Sequence, residues 1–157
     1  MKHYPILYAF RDKVSGNGFL ADVSVHGRAL ASEEEDGWWL FGVEPGDVVA
    51  EGRTFAEAGA EFPLALKAVL FDIADEAKDY ADFEAEVRRF FDGVNRVTEQ
   101  GWEAAVTRIR AGEAIADAIS SLPVWPAESP RVIEVKLLDQ PMAKDNVLDP
   151  QPLALAA

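Results

Sequence analysis

The amino-acid sequence predicts an α+β fold, in which an antiparallel sheet of five to six strands carries helices on one face. Two observations support this prediction. Apolar residues recur with a period of two through the first third of the chain, which is typical of half-buried strands. Their spacing then changes to three and four residues, as in amphipathic helices, before a late segment returns to a period of two.

A long hairpin is predicted at the start of the chain, over residues 4–26. Apolar and polar residues alternate on both sides of Asn17-Gly18, a pair that suits the positive φ angles of a tight hairpin turn. Two further turn signals, Asp36-Gly37 and Pro45-Gly46, separate the strands that follow. Those strands are predicted at about 28–32, 38–43 and 47–51.

Helices are predicted in the middle of the chain. Thr54 and Glu57 have the spacing of a capping box, in which the threonine hydroxyl accepts from an orphan amide and the glutamate reaches back to the Thr54 amide. The helix behind them should kink or break at Pro63, whose ring would clash with the carbonyl of Gly59. Two more helices are predicted, one at about 82–95 and one from residue 98 or 99. A late strand is expected at 131–138, with Ile133, Val135 and Leu137 facing the core.

A single domain is predicted over residues 1–140, followed by a loosely ordered tail at 141–157. The 157 residues suffice for one hydrophobic core, and Pro141, Pro150 and Pro152 favour an irregular tail. Neither a signal-peptide pattern nor an apolar run of membrane-spanning length is found in the sequence. We therefore expect a cytoplasmic protein with no membrane partner.

Charge and residue usage narrow the classes of function. Asp and Glu number 28 against 15 Lys and Arg, which gives a formal net charge of −13. Such a charge repels phosphate backbones and favours a basic protein partner, so no direct nucleic-acid binding is expected. Cysteine is absent, which removes thiolate nucleophiles, zinc ribbons and iron–sulfur clusters.

A motif in residues 36–58 suggests a family. It contains, in order, Asp36-Gly37-Trp38-Trp39, Pro45-Gly46, Gly52-Arg53-Thr54 and Glu57-Ala58. This pattern resembles the HicB antitoxin family, in which a Pro-Gly turn and a short strand lead into a Gly-x-Thr-x-x-Glu-Ala helix start. Residues 122–126 resemble the family's proline-rich lead into its last strand. The resemblance covers about 28–77 and 121–138. It implies a partial ferredoxin-like (HicB-like) β-β-β-α-β core and the neutralisation of a small basic ribonuclease toxin.

Three departures from the family pattern affect these expectations. Five residues separate Pro45-Gly46 from Gly52 where the family usually has four, which leaves room for a bulge. The hairpin at 4–26 should widen the sheet, and the helical block at about 79–119 looks like an insertion. Family antitoxins often end in a DNA-binding segment, and the proline-rich end of this chain offers none.

Candidate partner-binding residues cluster at the acidic turn. They are Glu33, Glu34, Glu35, Asp36, Trp38 and Trp39. Adjacent residues of a strand point to opposite faces, so one tryptophan should lie in the core while the other faces helices, solvent or a partner. The alternation does not say which. The acidic run is also the usual composition of a solvated hairpin tip.

No catalytic, cofactor or metal site is predicted. His3 and His26 are the only histidines and lack metal-ligand spacing, and no serine lies in a Gly-x-Ser-x-Gly elbow. The functional hypothesis is a non-enzymatic HicB-like protein that binds another protein and forms a homodimer through an unpaired strand edge. The alternatives are a stand-alone HicB-fold module that binds another partner or only itself, and an acid-dependent hydrolase.

Overall fold

A computed structural model describes residues 2–138 and 151–157 of the chain. Seven strands and four helices lie in these ranges. The strands are β1 (Lys2–Gly16), β2 (Phe19–Glu34), β3 (Gly37–Glu44), β4 (Val49–Gly52), β5 (Val124–Trp125), β6 (Val132–Leu137) and β7 (Leu153–Ala156). The helices are α1 (Phe55–Glu76), α2 (Tyr80–Phe91), α3 (Arg96–Arg110) and α4 (Asp117–Ser120). The fold is α+β, as predicted, and helices occupy the block at 79–119.

The seven strands form one mixed sheet, which is larger than the predicted sheet of five to six strands. Its order is β4-β3-β2-β1-β7-β5, and β6 pairs with β2 beside this path. All pairings are antiparallel except that of β5 with β7. Strand β2 serves two neighbours on the same side, because its residues 21–26 pair with β6 and its residues 28–34 pair with β3.

The strand predicted at 28–32 is the second half of β2 and not a separate element. Gly27, where a boundary was expected, continues the strand opposite Tyr8 of β1. A Cβ on Gly27 would lie 2.5 Å from the Tyr8 hydroxyl oxygen and 2.6 Å from the Glu44 carbonyl oxygen. This glycine therefore permits close packing in an unbroken strand, whereas the sequence suggested an interruption. The turn at Asn17-Gly18 is confirmed, with a φ of 76° at Gly18, whereas Asn17 does not have the positive φ that the sequence suggested.

Helix α1 begins with the predicted cap. The Glu57 amide donates to the Thr54 hydroxyl oxygen at 3.1 Å, but the Glu57 carboxylate accepts from the Arg53 amide at 2.8 Å, one residue before the predicted donor. The helix continues through Pro63, so the predicted break does not occur. Phe62 and Leu66, on either side of this proline, are both buried in the core, and this packing holds both halves of the helix against the sheet.

Helices cover both faces of the sheet, so the prediction of one covered face is wrong. Helices α1 and α2 pack on the face that bears Tyr8, and α3 packs on the opposite face against Leu7 and Leu30. The physical reason lies in β1, where Ile6, Leu7 and Tyr8 are consecutive apolar residues and all three are buried. A continuous apolar run is typical of a strand that is covered on both sides.

The end of the chain contributes to the sheet. Strand β7 pairs with residues 6–8 of β1 and buries Ala154, Leu155 and Ala156. The expectation of a loosely ordered tail is therefore wrong for this part, while residues 139–150 lie outside the described ranges. Strand β6 confirms the late strand, although of its predicted core positions only Val135 is buried and Leu137 is exposed.

The burial of Phe62 predicts a large effect of truncation. Its ring meets the Tyr8 ring with centroids 5.1 Å apart, so Phe62→Ala leaves a cavity between α1 and the sheet. We expect this change to lower the free energy of unfolding by about 3–5 kcal/mol. Leu64→Ala, two residues along the same helix but 47% exposed, is the control and should cost less than about 1 kcal/mol. Urea unfolding measures both, and equal losses would contradict the packing described here.

Candidate protein-binding site

The acidic turn lies at a corner of the sheet. Glu35 and Asp36 are exposed at the tip between β2 and β3, and Glu33 and Glu34 are half-buried at the end of β2. Gly37, which closes the turn, lies so near β4 that a Cβ on it would be 2.5 Å from the Gly52 carbonyl oxygen. The predicted acidic residues are therefore close to the end of β4 and the start of α1.

The two tryptophans lie on opposite faces of β3. Trp38 is only 8% exposed and packs between Tyr4 and Phe55, with ring centroids 5.9 and 5.5 Å apart. It belongs to the core. Trp39 is half-buried on the face that α3 covers in part, and it stacks on Phe41 with centroids 5.9 Å apart and planes 5° from parallel. Of the two, Trp39 keeps surface that a partner could contact.

Strand β4 forms an open edge of the sheet. Within the described ranges its one strand neighbour is β3. The Gly42 amide donates to the Val48 carbonyl at 2.7 Å. Because hydrogen-bonded and non-hydrogen-bonded pairs alternate in an antiparallel ladder, the backbone N–H and C=O groups of Val49 and Glu51 then point away from β3. This edge offers main-chain donors and acceptors to an adjacent chain.

A groove of about 730 Å³ lies between β4 and α1. We call it the β4–α1 groove. Its apolar lining consists of Ala50, Ala60, Leu64 and Ala65, and the acidic residues along α1 are Glu57 and Glu61. Val49 and Glu51 also border it, but they pair with Phe41 and Trp39, so their side chains lie on the face of β4 away from α1. All three glutamates are exposed. None of them forms an ion pair with a lysine or arginine of the described residues, although the exposed Arg53 follows β4 directly.

The outer edge of β6, by contrast, is closed by side chains of α2. The Tyr80 hydroxyl donates to the Val135 carbonyl, and the Arg88 guanidinium donates to the Ile133 carbonyl, both at 3.2 Å. These side chains occupy carbonyl groups that an additional strand would need. Strand β5, at the far end of the sheet, has only two residues. Of the edges of β4, β5 and β6, that of β4 is therefore best suited to a partner.

A part-buried ion cluster connects α3 to the sheet, and no pattern in the sequence predicted it. The Glu44 carboxylate, 3% exposed, pairs with Arg28 and with Arg131. Arg28 also pairs with Glu99 of α3 at 2.7 Å, and its guanidinium carbon lies 5.3 Å from the centre of the Trp102 ring. Positive and negative groups compensate one another here. We therefore interpret the cluster as structural.

A β-bulge places Glu44 in this cluster. The register of β2 with β3 shifts between Arg28 and Ala29, so Val43 is the extra residue and Glu44 lies opposite Arg28. This is not the bulge that the sequence left room for between Pro45-Gly46 and Gly52, because β4 pairs with β3 over Val49–Gly52 without a register shift. The signal that could have revealed the cluster is that Glu44 is the one charged residue of β3 and Arg28 the one lysine or arginine of β2. Their pairing depends on the bulge, which no local pattern predicts.

The buried Tyr8 and Trp102 complete the polar contacts around the cluster. The Tyr8 hydroxyl donates to the Glu44 carbonyl at 2.8 Å, and the Trp102 indole donates to the Ile6 carbonyl at 3.2 Å. Burial raises the pKa of Tyr8 far above its usual value. The phenol therefore stays neutral and keeps the proton that it donates to Glu44.

The histidines lie away from the β4–α1 groove. His26 is exposed on β2, and burial together with the nearby Arg108 lowers the pKa of His3 on β1. Within residues 2–138 and 151–157, no three His, Asp or Glu side chains are grouped so that they could hold a metal ion. None of the helices in these ranges combines the length and apolar character needed to cross a membrane.

Comparisons with protein-family models, with curated proteins and with solved structures found no match. The resemblance to HicB antitoxins therefore remains a prediction from the motif.

The ion cluster predicts an acid-dependent loss of stability. Hydrogen bonds from Arg28 and Arg96 lower the pKa of Glu99 below its ordinary value of 4.5. A carboxylate with a lowered folded-state pKa stabilises the fold above the pKa of the unfolded chain, and this contribution is lost as the pH falls through the folded-state value. Glu99→Gln should therefore reduce the free energy of unfolding at pH 7 by about 1–2 kcal/mol.

Urea unfolding between pH 7 and pH 3 tests this expectation, since the difference between wild type and Glu99→Gln should shrink below about pH 4.5. Glu103→Gln is the matched control, because Glu103 is exposed on the same helix and forms no ion pair with the described residues. A Glu99→Gln deficit that stayed constant with pH would show that the charge of Glu99 is not what stabilises the cluster.

Proposed function

We propose that this chain is a non-enzymatic protein-binding module whose partner is a basic protein. The observation that supports the proposal is the β4–α1 groove, where apolar and acidic residues line an open strand edge. Apolar contact supplies binding energy at protein interfaces, while charge complementarity speeds the encounter and rejects unsuitable partners. A groove with three exposed glutamates favours lysine- and arginine-bearing surfaces.

The acidic turn strengthens this preference. Glu35 and Asp36 are exposed at the same corner as the end of β4, so their charges add to those around the groove. The net charge of −13 extends the attraction beyond direct contact, since the summed potential of a protein steers oppositely charged partners. Arg53, exposed at this corner, is the cation that an incoming basic surface would have to avoid.

The resemblance to HicB antitoxins gives a more specific form of the proposal. The motif residues Thr54 and Glu57 cap α1 where it adjoins β4, so the motif shapes the corner that bears the groove. In this form the partner is a small basic ribonuclease toxin. The protein neutralises it by covering the basic surface that the toxin uses to bind RNA.

Affinity capture from the native lysate tests the proposal. Tagged wild-type protein should retain a small basic protein in near-equal amount, identified by mass spectrometry. The double variant Glu51→Lys, Glu61→Lys reverses one charge on each side of the β4 edge and should reduce the recovery about tenfold or more, because like charges then face the partner. RNA cleavage by the recovered protein, inhibited by the tagged chain, would test the antitoxin form.

The matched control is Glu76→Lys, Glu103→Lys, which makes the same change of net charge at exposed helical positions outside the groove. It should retain the partner. Equal recovery from the groove variant and the control would place the partner elsewhere on the surface. Recovery of the tagged chain alone would contradict the proposal of a basic protein partner.

A further inference from the structure

We propose that the partner binds by β-strand addition, contributing an extended segment with alternating basic and apolar side chains that pairs with β4. This inference rests on the proposed function, because it specifies how the basic partner is held. The open main chain of β4 supports it. The N–H and C=O groups of Val49 and Glu51 point outward, and Val49 is 50% exposed beside them.

Pairing with an exposed edge gives an extended peptide its affinity through main-chain hydrogen bonds. Specificity then comes from pockets for alternate side chains, which point to opposite faces of the added strand. The two sides of β4 differ in chemistry, so they define what the alternate residues should be.

On the α1 side, the added strand would place its side chains in the β4–α1 groove. Glu57, Glu61 and Leu64 follow one another at intervals of four and three residues, so they share one face of α1 along the groove. A lysine or arginine fits this side, because its aliphatic stem can lie along Leu64 and Ala60 while its charged end reaches a glutamate.

On the opposite side, the added strand would extend a surface that is apolar except for Glu51. Val49 is the register partner of Phe41, and Trp39 stacks on Phe41. Strand partners share a face of the sheet, so these three side chains lie together on the side away from α1, and Glu51, the register partner of Trp39, lies at the end of the same side. Apolar residues of the incoming segment fit beside them. The two sides together specify a strand in which basic and apolar residues alternate.

Charge selects this occupant over a second copy of the chain. Two copies joined edge to edge at β4 would bring together two sets of Glu51, Glu57 and Glu61, and each chain carries a net charge of −13. Like charges across an interface cost several kcal/mol. A basic strand instead supplies the cations that these glutamates lack among the described residues.

Fluorescence anisotropy with synthetic peptides tests the inference on the full chain. The probe is a labelled peptide of about eight residues with alternating lysine and valine, a usual strand length. It should bind, and a glutamate–valine peptide should not. Glu61→Gln should weaken binding by about threefold, as for one exposed ion pair, whereas Glu103→Gln should leave it unchanged.

Backbone methylation of the same peptide separates strand pairing from attraction between charges. In an antiparallel added strand, the residues directly opposite Val49 and Glu51 share their face and direct their amides to β4, so these residues are the valines. Methylating the valine amides should therefore weaken binding about tenfold or more, while methylating the lysine amides should have little effect. The reverse pattern would support a parallel added strand, because there the lysine amides face β4.

Three results would overturn the inference. Equal binding of the two methylated peptides would show attraction between charges without strand pairing. No binding of the lysine–valine peptide would exclude the specified occupant. A wild-type dimer in sedimentation analysis that Val49→Lys dissociates would show that a second copy occupies β4. A different result would contradict the proposed function, namely lysate capture that recovers no basic protein whose binding depends on the groove.

Discussion

The pairing of β1 with β2 is the interaction on which the rest of the structure depends. The two strands match residue for residue from Lys2 opposite Glu33 to Gly16 opposite Phe19, around one two-residue turn. Strand β7 pairs with β1, and β3 and β6 share the other side of β2. A one-residue slip in this register would exchange the faces of every side chain along one strand.

Because this hairpin is covered on both faces, its charged side chain under α3 must be paired. The face under α3 contains Arg28, whose side chain is mostly shielded from water, so leaving its charge unpaired would be unfavourable. The bulge at Val43 turns Glu44 towards Arg28, and α3 supplies Glu99. Helix α3 is thus held both by apolar contacts and by its ion pair with a part-buried guanidinium. Removing one partner of such a cluster leaves the others uncompensated, which costs more than the pairing contributes.

Local patterns in the sequence predicted the elements that local physics determines. The Asn17-Gly18 turn, the Thr54 cap and the helical spacing of residues 79–119 all act within a few residues. The sequence did not predict features that depend on distant residues. Gly27 suggested an interruption of the strand, because its close contact with Tyr8 cannot be seen in the sequence. The end of the chain suggested an irregular tail, because the pairing of β7 with β1 cannot be seen there either. For the candidate site, the acidic turn was recognised, but the groove requires α1 to lie beside β4.

The edges of β4 and β6 are protected from unwanted pairing in different ways. Proteins protect exposed strand edges from unwanted pairing with side-chain contacts, with charges or by making the edge strand short. In β6 the contacts from Tyr80 and Arg88 protect the edge by occupying its carbonyls. In β4 the edge is four residues long and is bordered by glutamates, which leave its main chain open but oppose pairing with other acidic chains, including copies of itself. On the function proposed here, the same glutamates exclude wrong partners and attract a basic strand, because specificity needs a repulsive element as well as an attractive one.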